Sequence, residues 1–164
     1  MVAGASGGRF RFYPVAVAGE RGVAVFHESL RNVSGSLSGA HRNVRRDPVV
    51  SYRVECVTLA QIRDLIGGIP VDLLKLDVEG AEYGILGAAG PEELRSIEQI
   101  VVEFHHGTIE GITRADTERA IGKLRACGFE VYTRDRANYL FWRREKTCQA
   151  ECWSPERAAS SGTT

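Results

Sequence analysis

The sequence predicts an α/β fold with two parallel strands at its centre and a pair of antiparallel strands at its C-terminal side. Two apolar runs, at residues 71–78 and 99–106, predict the central strands. Helical patterns separate and follow these runs, and such alternation is typical of parallel sheets with crossover connections. Alternating segments at 129–133 and 138–143, joined by a polar turn, predict the antiparallel pair.

The composition is that of an ordinary globular protein. Of the 164 residues, 43% are hydrophobic and 26% are charged, and 21 basic side chains balance 21 acidic ones. Because no net charge steers the protein towards a polyanion, we expect no nucleic-acid partner and no membrane partner. The sequence has no apolar run near the ~20 residues of a membrane span and no basic region followed by an apolar stretch at its start, which favours a cytoplasmic location.

The N-terminal part predicts a hairpin and then a long loop. Residues 10–17 and 23–27 have strand patterns, and the glycine-containing segment between them predicts antiparallel pairing. Residues 28–48 are polar and rich in serine and glycine, which predicts a loop. This loop contains three arginines, Arg42, Arg45 and Arg46. We expect them to be solvated, with reception of an anionic substrate group as the alternative.

Apolar spacing and capping residues predict the remaining elements. Thr58 is typical of a helix N-cap, and Gly67-Gly68 ends that helix before the first central strand. Thr113 or Asp116 is expected to cap the longest helix. The elements are a strand at 49–57, a helix at 59–66, the strand at 71–78, helices at 81–89 and 91–97, the strand at 99–106, a helix at 113–127, and strands at 129–133 and 138–143. The apolar run at 71–78 predicts a strand that is covered on both faces.

We predict one domain at residues 10–144, preceded by a flexible N-terminus at 1–9 and followed by a mobile polar tail at 145–164. The tail contains Cys148 and Cys152, but no second pair of cysteines and no histidine completes a zinc set there. The sequence therefore assigns no metal site to these cysteines.

Acidic side chains and a histidine stand at the ends of both central strands. Asp77 and Glu79 follow the first apolar run, and Glu103 and His105 end the second. Because the carboxyl ends of adjacent parallel strands meet at the edge where open α/β sheets bind ligands, we expect these side chains to converge. Carboxylates near an imidazole shift one another's pKa and suit a general base or a metal site.

Structural explanations of the same residues stay open. Asp77 or Glu79 can cap the following helix, where an acid is favourable beside the helix dipole. Glu103 can form a structural ion pair with Lys75, and His106 is expected to face solvent. These explanations compete with a functional one for each residue.

A family resemblance rests on the two strand ends. The sequence Leu-Leu-Lys-Leu-Asp-Val-Glu-Gly-Ala-Glu at 73–82, followed by Ile-Val-Val-Glu-Phe-His at 100–105, resembles the FkbM family of S-adenosylmethionine-dependent methyltransferases. Segments at 16–19, 57–59 and 139–141 are also similar to that family. The resemblance implies a partial Rossmann-like class I methyltransferase fold, S-adenosylmethionine as cofactor, and O-methylation of a small-molecule or glycan hydroxyl.

The resemblance also implies roles for the residues at the strand ends. Asp77 and Glu103 are expected to deprotonate or orient an acceptor hydroxyl beside the sulfonium of the donor. Glu79 and His105 are expected to lie near them and to act with them. These four residues are the predicted catalytic set.

The sequence departs from the family pattern at the donor site. Such enzymes begin with a strand and a glycine-rich turn for the methionine end of the donor, then a second strand ending in an acid for the ribose hydroxyls. This sequence resembles the later part of that pattern, and Ala16 and Val17 are the residues assigned to the cofactor. We therefore expect weak or absent binding of S-adenosylmethionine. The strand edge left open favours homo-oligomers.

Two other functions fit the residues. One is a non-catalytic α/β remnant that associates through its open sheet edge. The other is a metal-assisted hydrolase with Asp77, Glu79, Glu103 and His105 as ligands. The hydrolase ranks last because the sequence offers no separate nucleophile and no second metal cluster.

Overall fold

The computed structural model describes residues 10–31 and 34–143. These residues form eight strands and five helices, arranged around two four-stranded sheets. The strands are β1 (Ala16–Val17), β2 (Gly22–Ser29), β3 (Gly35–Ser36), β4 (Val49–Val57), β5 (Val71–Leu76), β6 (Ile97–Glu103), β7 (Phe129–Thr133) and β8 (Asn138–Arg143). The helices are α1 (Arg42–Arg46), α2 (Leu59–Leu65), α3 (Glu82–Ala88), α4 (Pro91–Arg95) and α5 (Arg114–Ala126).

Some predictions fall on other parts of the chain. The flexible segment at 1–9 and the polar tail at 145–164, with Cys148 and Cys152, lie outside the described residues. None of the helices in the described part has the length and apolar character that a membrane crossing needs.

The C-terminal sheet contains β5, β6, β8 and β7, in that order. Strands β5 and β6 are adjacent and parallel, with Leu74 opposite Ile100. Strand β8 runs antiparallel to β6 and to β7, with Phe141 opposite both Ile100 and Val131. The predicted parallel pair and the predicted C-terminal hairpin are therefore confirmed.

The core lies on one face of the C-terminal sheet. Ile100, Val102 and Phe141 are fully buried there and belong to one apolar cluster with residues of α2 to α5. Leu73 lies on the opposite face of β5 and is 55% exposed. The prediction that β5 is covered on both faces is therefore wrong for the described chain, because the buried apolar side chains of the helices join the cluster on the other face.

The N-terminal sheet has the order β1, β4, β2, β3. Strand β2 pairs antiparallel with β4 from Gly22 opposite Cys56 to Ser29 opposite Val49, and β1 pairs parallel with the other edge of β4. The predicted hairpin between residues 10–17 and 23–27 is therefore wrong. Strand β4 offers β2 a partner along its whole length, whereas β1 has two residues, so pairing with β4 satisfies more backbone groups.

The predicted loop at 28–48 contains β3 and α1 and connects β2 to β4. It also contacts the region that follows β5 of the C-terminal sheet. Ser36 on β3 donates its hydroxyl to the carbonyl oxygen of Glu79, at 2.6 Å. Gly19, after β1, approaches α3 so closely that a Cβ there would lie 2.6 Å from the carbonyl oxygen of Gly84. Both contacts fix the N-terminal sheet against the region that follows β5.

Candidate functional site

The turn between β5 and α3 begins the site. Glu79 has a φ of +50°, which is uncommon for a residue other than glycine. The next residue, Gly80, has a φ of +108°, and a Cβ on it would overlap the side chain of Ile109. Glycine is therefore required at position 80. Helix α3 has Ala81 as its N-cap without a side-chain hydrogen bond, so the alternative in which Asp77 or Glu79 caps this helix is wrong.

Glu82 holds this turn from inside the protein. It lies in the first turn of α3 and is 0% exposed. Its Oε1 accepts hydrogen bonds from the backbone N–H groups of Val78 and Gly80, at 3.1 and 3.2 Å, and from Nδ1 of His105, at 2.9 Å. Sequence reasoning missed this role. The signal that could have indicated it is the second acid of the Glu-Gly-Ala-Glu motif, Glu82, because it follows the turn closely enough to accept from the N–H groups there.

His105 lies at the centre of the site. Its Nε2 is 3.2 Å from Oε2 of Glu79 and 4.0 Å from Oε1 of Glu103. Burial lowers the pKa of His105, but the hydrogen bond to Glu82 and the negative charges of Glu82, Glu79 and Glu103 outweigh burial and raise this pKa above its ordinary value. The site therefore stabilises a positive charge on or near this ring.

Asp77 completes the predicted set. One possible ligand atom from each of Asp77, Glu103 and His105 lies within 4.8 Å of the other two. The ammonium group of Lys75 donates to Oδ2 of Asp77 at 2.9 Å, and this hydrogen bond and the charge of Asp77 raise the pKa of Lys75. The structural alternative, an ion pair between Glu103 and Lys75, is therefore wrong, because Lys75 pairs with Asp77.

His41 is a second histidine at the site, and sequence reasoning missed it. It caps α1, and its Nδ1 accepts a hydrogen bond from the backbone N–H of Asn43, at 3.3 Å. Its Nε2 lies 3.0 Å from Oε2 of Glu79, but the two atoms do not make a regular hydrogen bond. No local pattern marks His41. The backbone contact between Arg42 and Thr108 brings it to the site through tertiary structure.

A cleft of about 430 Å³ opens beside the turn after β5. Its lining includes Ala16 and Val17 from β1 and Asp77 and Glu79 from the turn. Glu103 and His105 do not line it. The residues predicted for the cofactor thus share one cleft with two of the four predicted catalytic residues.

A second cleft, of about 450 Å³, contains the three arginines of the predicted loop. Arg42, Arg45 and Arg46 line it with Thr108 and Glu110, and Arg45 forms an ion pair with Glu110. Reception of an anionic substrate group by these arginines stays the alternative to their solvation.

His106 is partly buried instead of facing solvent freely. Its Nδ1 is 3.0 Å from the hydroxyl of Thr117, which is 3.1 Å from the hydroxyl of Tyr83. Burial is the main cause that raises the pKa of Tyr83. This network fixes α5 against α3.

Asp77, Glu79, Glu103 and His105 thus meet where β5 and β6 end, at the edge that the sequence predicted. Their catalytic roles stay predictions.

Comparison with known proteins points to a methyltransferase. Neither a curated protein nor a solved structure matches the chain. Residues 3–131 match the methyltransferase FkbM domain, which confirms the resemblance stated from the motif. The chain therefore belongs to the FkbM family of methyltransferases.

Proposed function

We propose that this protein takes part in S-adenosylmethionine-dependent O-methylation of a small-molecule or glycan hydroxyl. The observation that carries the proposal is the shared cleft: Ala16 and Val17, assigned to the donor, line it together with Asp77 and Glu79. The family supports methyl transfer, and the arrangement of the acids supports an acceptor that must lose a proton.

The transfer follows from the chemistry of these groups. The acceptor oxygen forms a bond to the methyl carbon of the donor while the sulfur–carbon bond breaks, and the electron pair of that bond stays on sulfur. The proton of the acceptor hydroxyl passes to a carboxylate of the site. The positions of Asp77, Glu103 and the neighbouring Glu79 at the strand ends support that role. A base in such a position accelerates a reaction by typically about 10²–10⁴-fold.

Donor affinity is expected to be low in this chain. The early glycines that the structure describes, Gly19 and Gly22, connect two strands of the N-terminal sheet and do not lead from a strand into a helix. Polar groups of the donor that find no partner cost about 1–3 kcal/mol each. Three such groups at ~1.4 kcal/mol each weaken binding roughly a thousandfold, from micromolar towards millimolar.

Calorimetric titration with S-adenosylmethionine tests the donor site. We expect a dissociation constant near the millimolar range. Micromolar binding would overturn this expectation and would mean that other parts of the chain, or a partner subunit, supply the missing contacts.

A radiolabel assay tests the transfer itself. The protein is incubated with millimolar donor carrying a labelled methyl group and with a panel of sugars, glycans and phenols. We expect label in at least one acceptor, and we expect Asp77→Asn to lower the rate about a hundredfold. The matched control is Glu98→Gln, an exposed acid at the other end of β6. Equal rates of methyl transfer in D77N and E98Q would contradict the proposal, and so would the absence of labelled product.

The open edge of β5 favours a second candidate function, association of two chains. In the described residues β5 is the last strand of its sheet, and Leu73 on it is exposed. Unpaired backbone groups on such an edge are a template for another strand. Sedimentation of the purified chain tests this candidate. We expect a dimer that Leu73→Lys converts to a monomer, and a monomeric wild type would exclude it.

A further inference from the structure

We propose that Asp77, Glu103 and His105 bind one divalent transition-metal ion at the ends of β5 and β6. The role of this ion, to hold the acceptor hydroxyl and lower its pKa while the proton passes to Glu79, the acid of the set that is not a ligand, rests on the proposed function. Binding of the ion does not. The ligands come from two adjacent strands, so the sheet itself fixes their spacing.

The separation of the three side chains suits a metal ion. Their ligand atoms lie within 4.8 Å of one another. Bonds of about 2.0–2.2 Å from zinc to nitrogen or oxygen place the ligands of a tetrahedral ion roughly 3.4 Å apart, so the three atoms must move closer together when an ion binds. Asp77 is exposed and Glu103 is half-buried, and the proposal requires these two side chains to rotate towards the buried His105 when an ion binds.

Glu82 prepares His105 for this role. It accepts a hydrogen bond from Nδ1–H, and in the neutral ring this leaves the lone pair on Nε2, which faces Glu79 and Glu103. Histidines that bind metals usually donate their other N–H to a carboxylate or a carbonyl in this way, and the partner fixes the orientation of the ring. The buried hydrogen bonds from Val78 and Gly80 hold Glu82 in place.

His41 provides an independent indication. It is 2% exposed, and its Nε2 has no hydrogen-bond partner among the described residues, although it points at the site and lies 3.0 Å from Glu79. In the structure the same oxygen of Glu79 lies beside Nε2 of His105. A metal ion on His105 displaces Glu79 from that nitrogen and frees its carboxylate to accept from His41. Metal binding thus lets Glu79 form a regular hydrogen bond with a buried nitrogen that now lies beside it without one.

The chemistry of the ligands selects the class of ion. Two carboxylates and one imidazole suit Mn²⁺, Fe²⁺ or Zn²⁺ better than a soft ion such as Cu⁺. Acids outnumber cations at this edge, where Asp77, Glu79, Glu82 and Glu103 lie near one lysine. Three protein ligands leave open positions for a hydroxyl oxygen, which a metal ion acidifies.

Titration with Mn²⁺ tests the site in the full chain, with the unbound ion measured by electron paramagnetic resonance and without donor or acceptor. We expect one ion per chain, competition by Zn²⁺, and at least about tenfold weaker binding in Asp77→Asn and in Glu103→Gln. Glu98→Gln is the matched control and should bind like the wild type. Absence of stoichiometric binding, or equal affinity in D77N, E103Q and E98Q, would overturn the proposal.

Lys75→Met gives a test that does not depend on the folding of the ligand variants. Lys75 is largely exposed and competes with an ion for Asp77. We therefore expect K75M to bind Mn²⁺ severalfold more tightly than the wild type, and unchanged or weaker binding would overturn the assignment of Asp77. Because no methyl transfer is measured, failure here leaves the proposed function standing, and failure of the transfer assay leaves the metal site standing.

Discussion

The two sheets have the same number of strands and differ in what covers them. One face of the C-terminal sheet is buried under helices, with Ile100 and Phe141 at 0% exposure. The long strands of the N-terminal sheet, β2 and β4, carry apolar side chains that remain in solvent, among them Val25, Val50 and Tyr52. The hydrophobic free energy of folding therefore comes mainly from the C-terminal sheet.

The N-terminal sheet contributes to the site more than to the core. Its β3 reaches Glu79 through Ser36, its β1 lines the cleft with Ala16 and Val17, and α1 beyond β3 brings His41 to the same acid. Stability and site geometry thus depend on different parts of the chain. Substitutions in the two sheets are expected to have different consequences.

The largest contrast in stability is expected between Phe141→Ala and Val25→Ala. Phe141 is fully buried in the centre of the C-terminal sheet, and loss of such a ring costs about 3–5 kcal/mol. Val25 is exposed, so its truncation should change the free energy of unfolding by less than about 0.5 kcal/mol. Urea denaturation of the two variants measures both values. Equal losses would mean that β2 is buried against something outside the described residues.

The next largest loss of stability is expected for substitutions of Glu82, the buried acid that holds the turn after β5. Glu82→Ala removes a fully buried acceptor and leaves His105 and two backbone N–H groups without it, which should cost about 3 kcal/mol. Glu82→Gln keeps the size of the side chain and one acceptor oxygen, so its loss should be smaller. The difference between the two urea midpoints measures this. A loss in E82Q as large as in E82A would show that charge, and not hydrogen bonding, holds the turn.

The two sheets also differ in how well the sequence predicted them. The C-terminal sheet follows local patterns, since the parallel pair, the terminal hairpin and the cap at Thr58 each have a signal within a few residues. The partner of β2 was predicted wrongly, because glycines indicate a turn and do not say which strand pairs next. Phe26 packs on Tyr52, 26 positions later, with ring centres 5.7 Å apart.

The residues of the site also differ in how well the sequence predicted them. Asp77 and Glu103 could be predicted because each ends an apolar run, and parallel strands bring such ends together. His41 could not, because its place depends on a backbone contact with the loop after β6. Glu82 lies inside the recognised motif, but its burial follows from the fold of the turn and not from any pattern in the residues.

Ser36→Ala tests the link between the sheets. It removes the hydroxyl that donates to the carbonyl of Glu79, so the free energy of unfolding should fall by about 1 kcal/mol. The more informative expectation is a weaker affinity for Mn²⁺, because the backbone of Glu79 is held in an unusual conformation beside the ligands. Ser38→Ala, in the neighbouring turn, is the control. An affinity that S36A leaves unchanged would show that the N-terminal sheet does not shape the site.

The smallest effect is expected in the hairpin of the C-terminal sheet, where Asp135 closes the turn between β7 and β8. Its Oδ1 accepts from the backbone N–H groups of Ala137 and Asn138, at 2.9 and 2.7 Å, and these bonds lower the pKa of Asp135 to about 2. A carboxyl group whose pKa is lower in the folded than in the unfolded chain stabilises the fold fully above its unfolded value, about 3.9, and loses that contribution as the pH falls through 2.

Asp135→Asn keeps the shape of the side chain and removes its charge, so it isolates this contribution. We expect D135N to be less stable than the wild type at pH 5 and the difference to shrink steadily between pH 4 and pH 2. Because the group is exposed, the effect should be small and screened by salt. Urea denaturation of both proteins at several pH values in low salt measures it. A difference that stays constant down to pH 2 would mean that the turn depends on the shape of Asp135 and not on its charge. In that case the hairpin would depend on uncharged hydrogen bonds, as the pairing of β2 with β4 in the N-terminal sheet does.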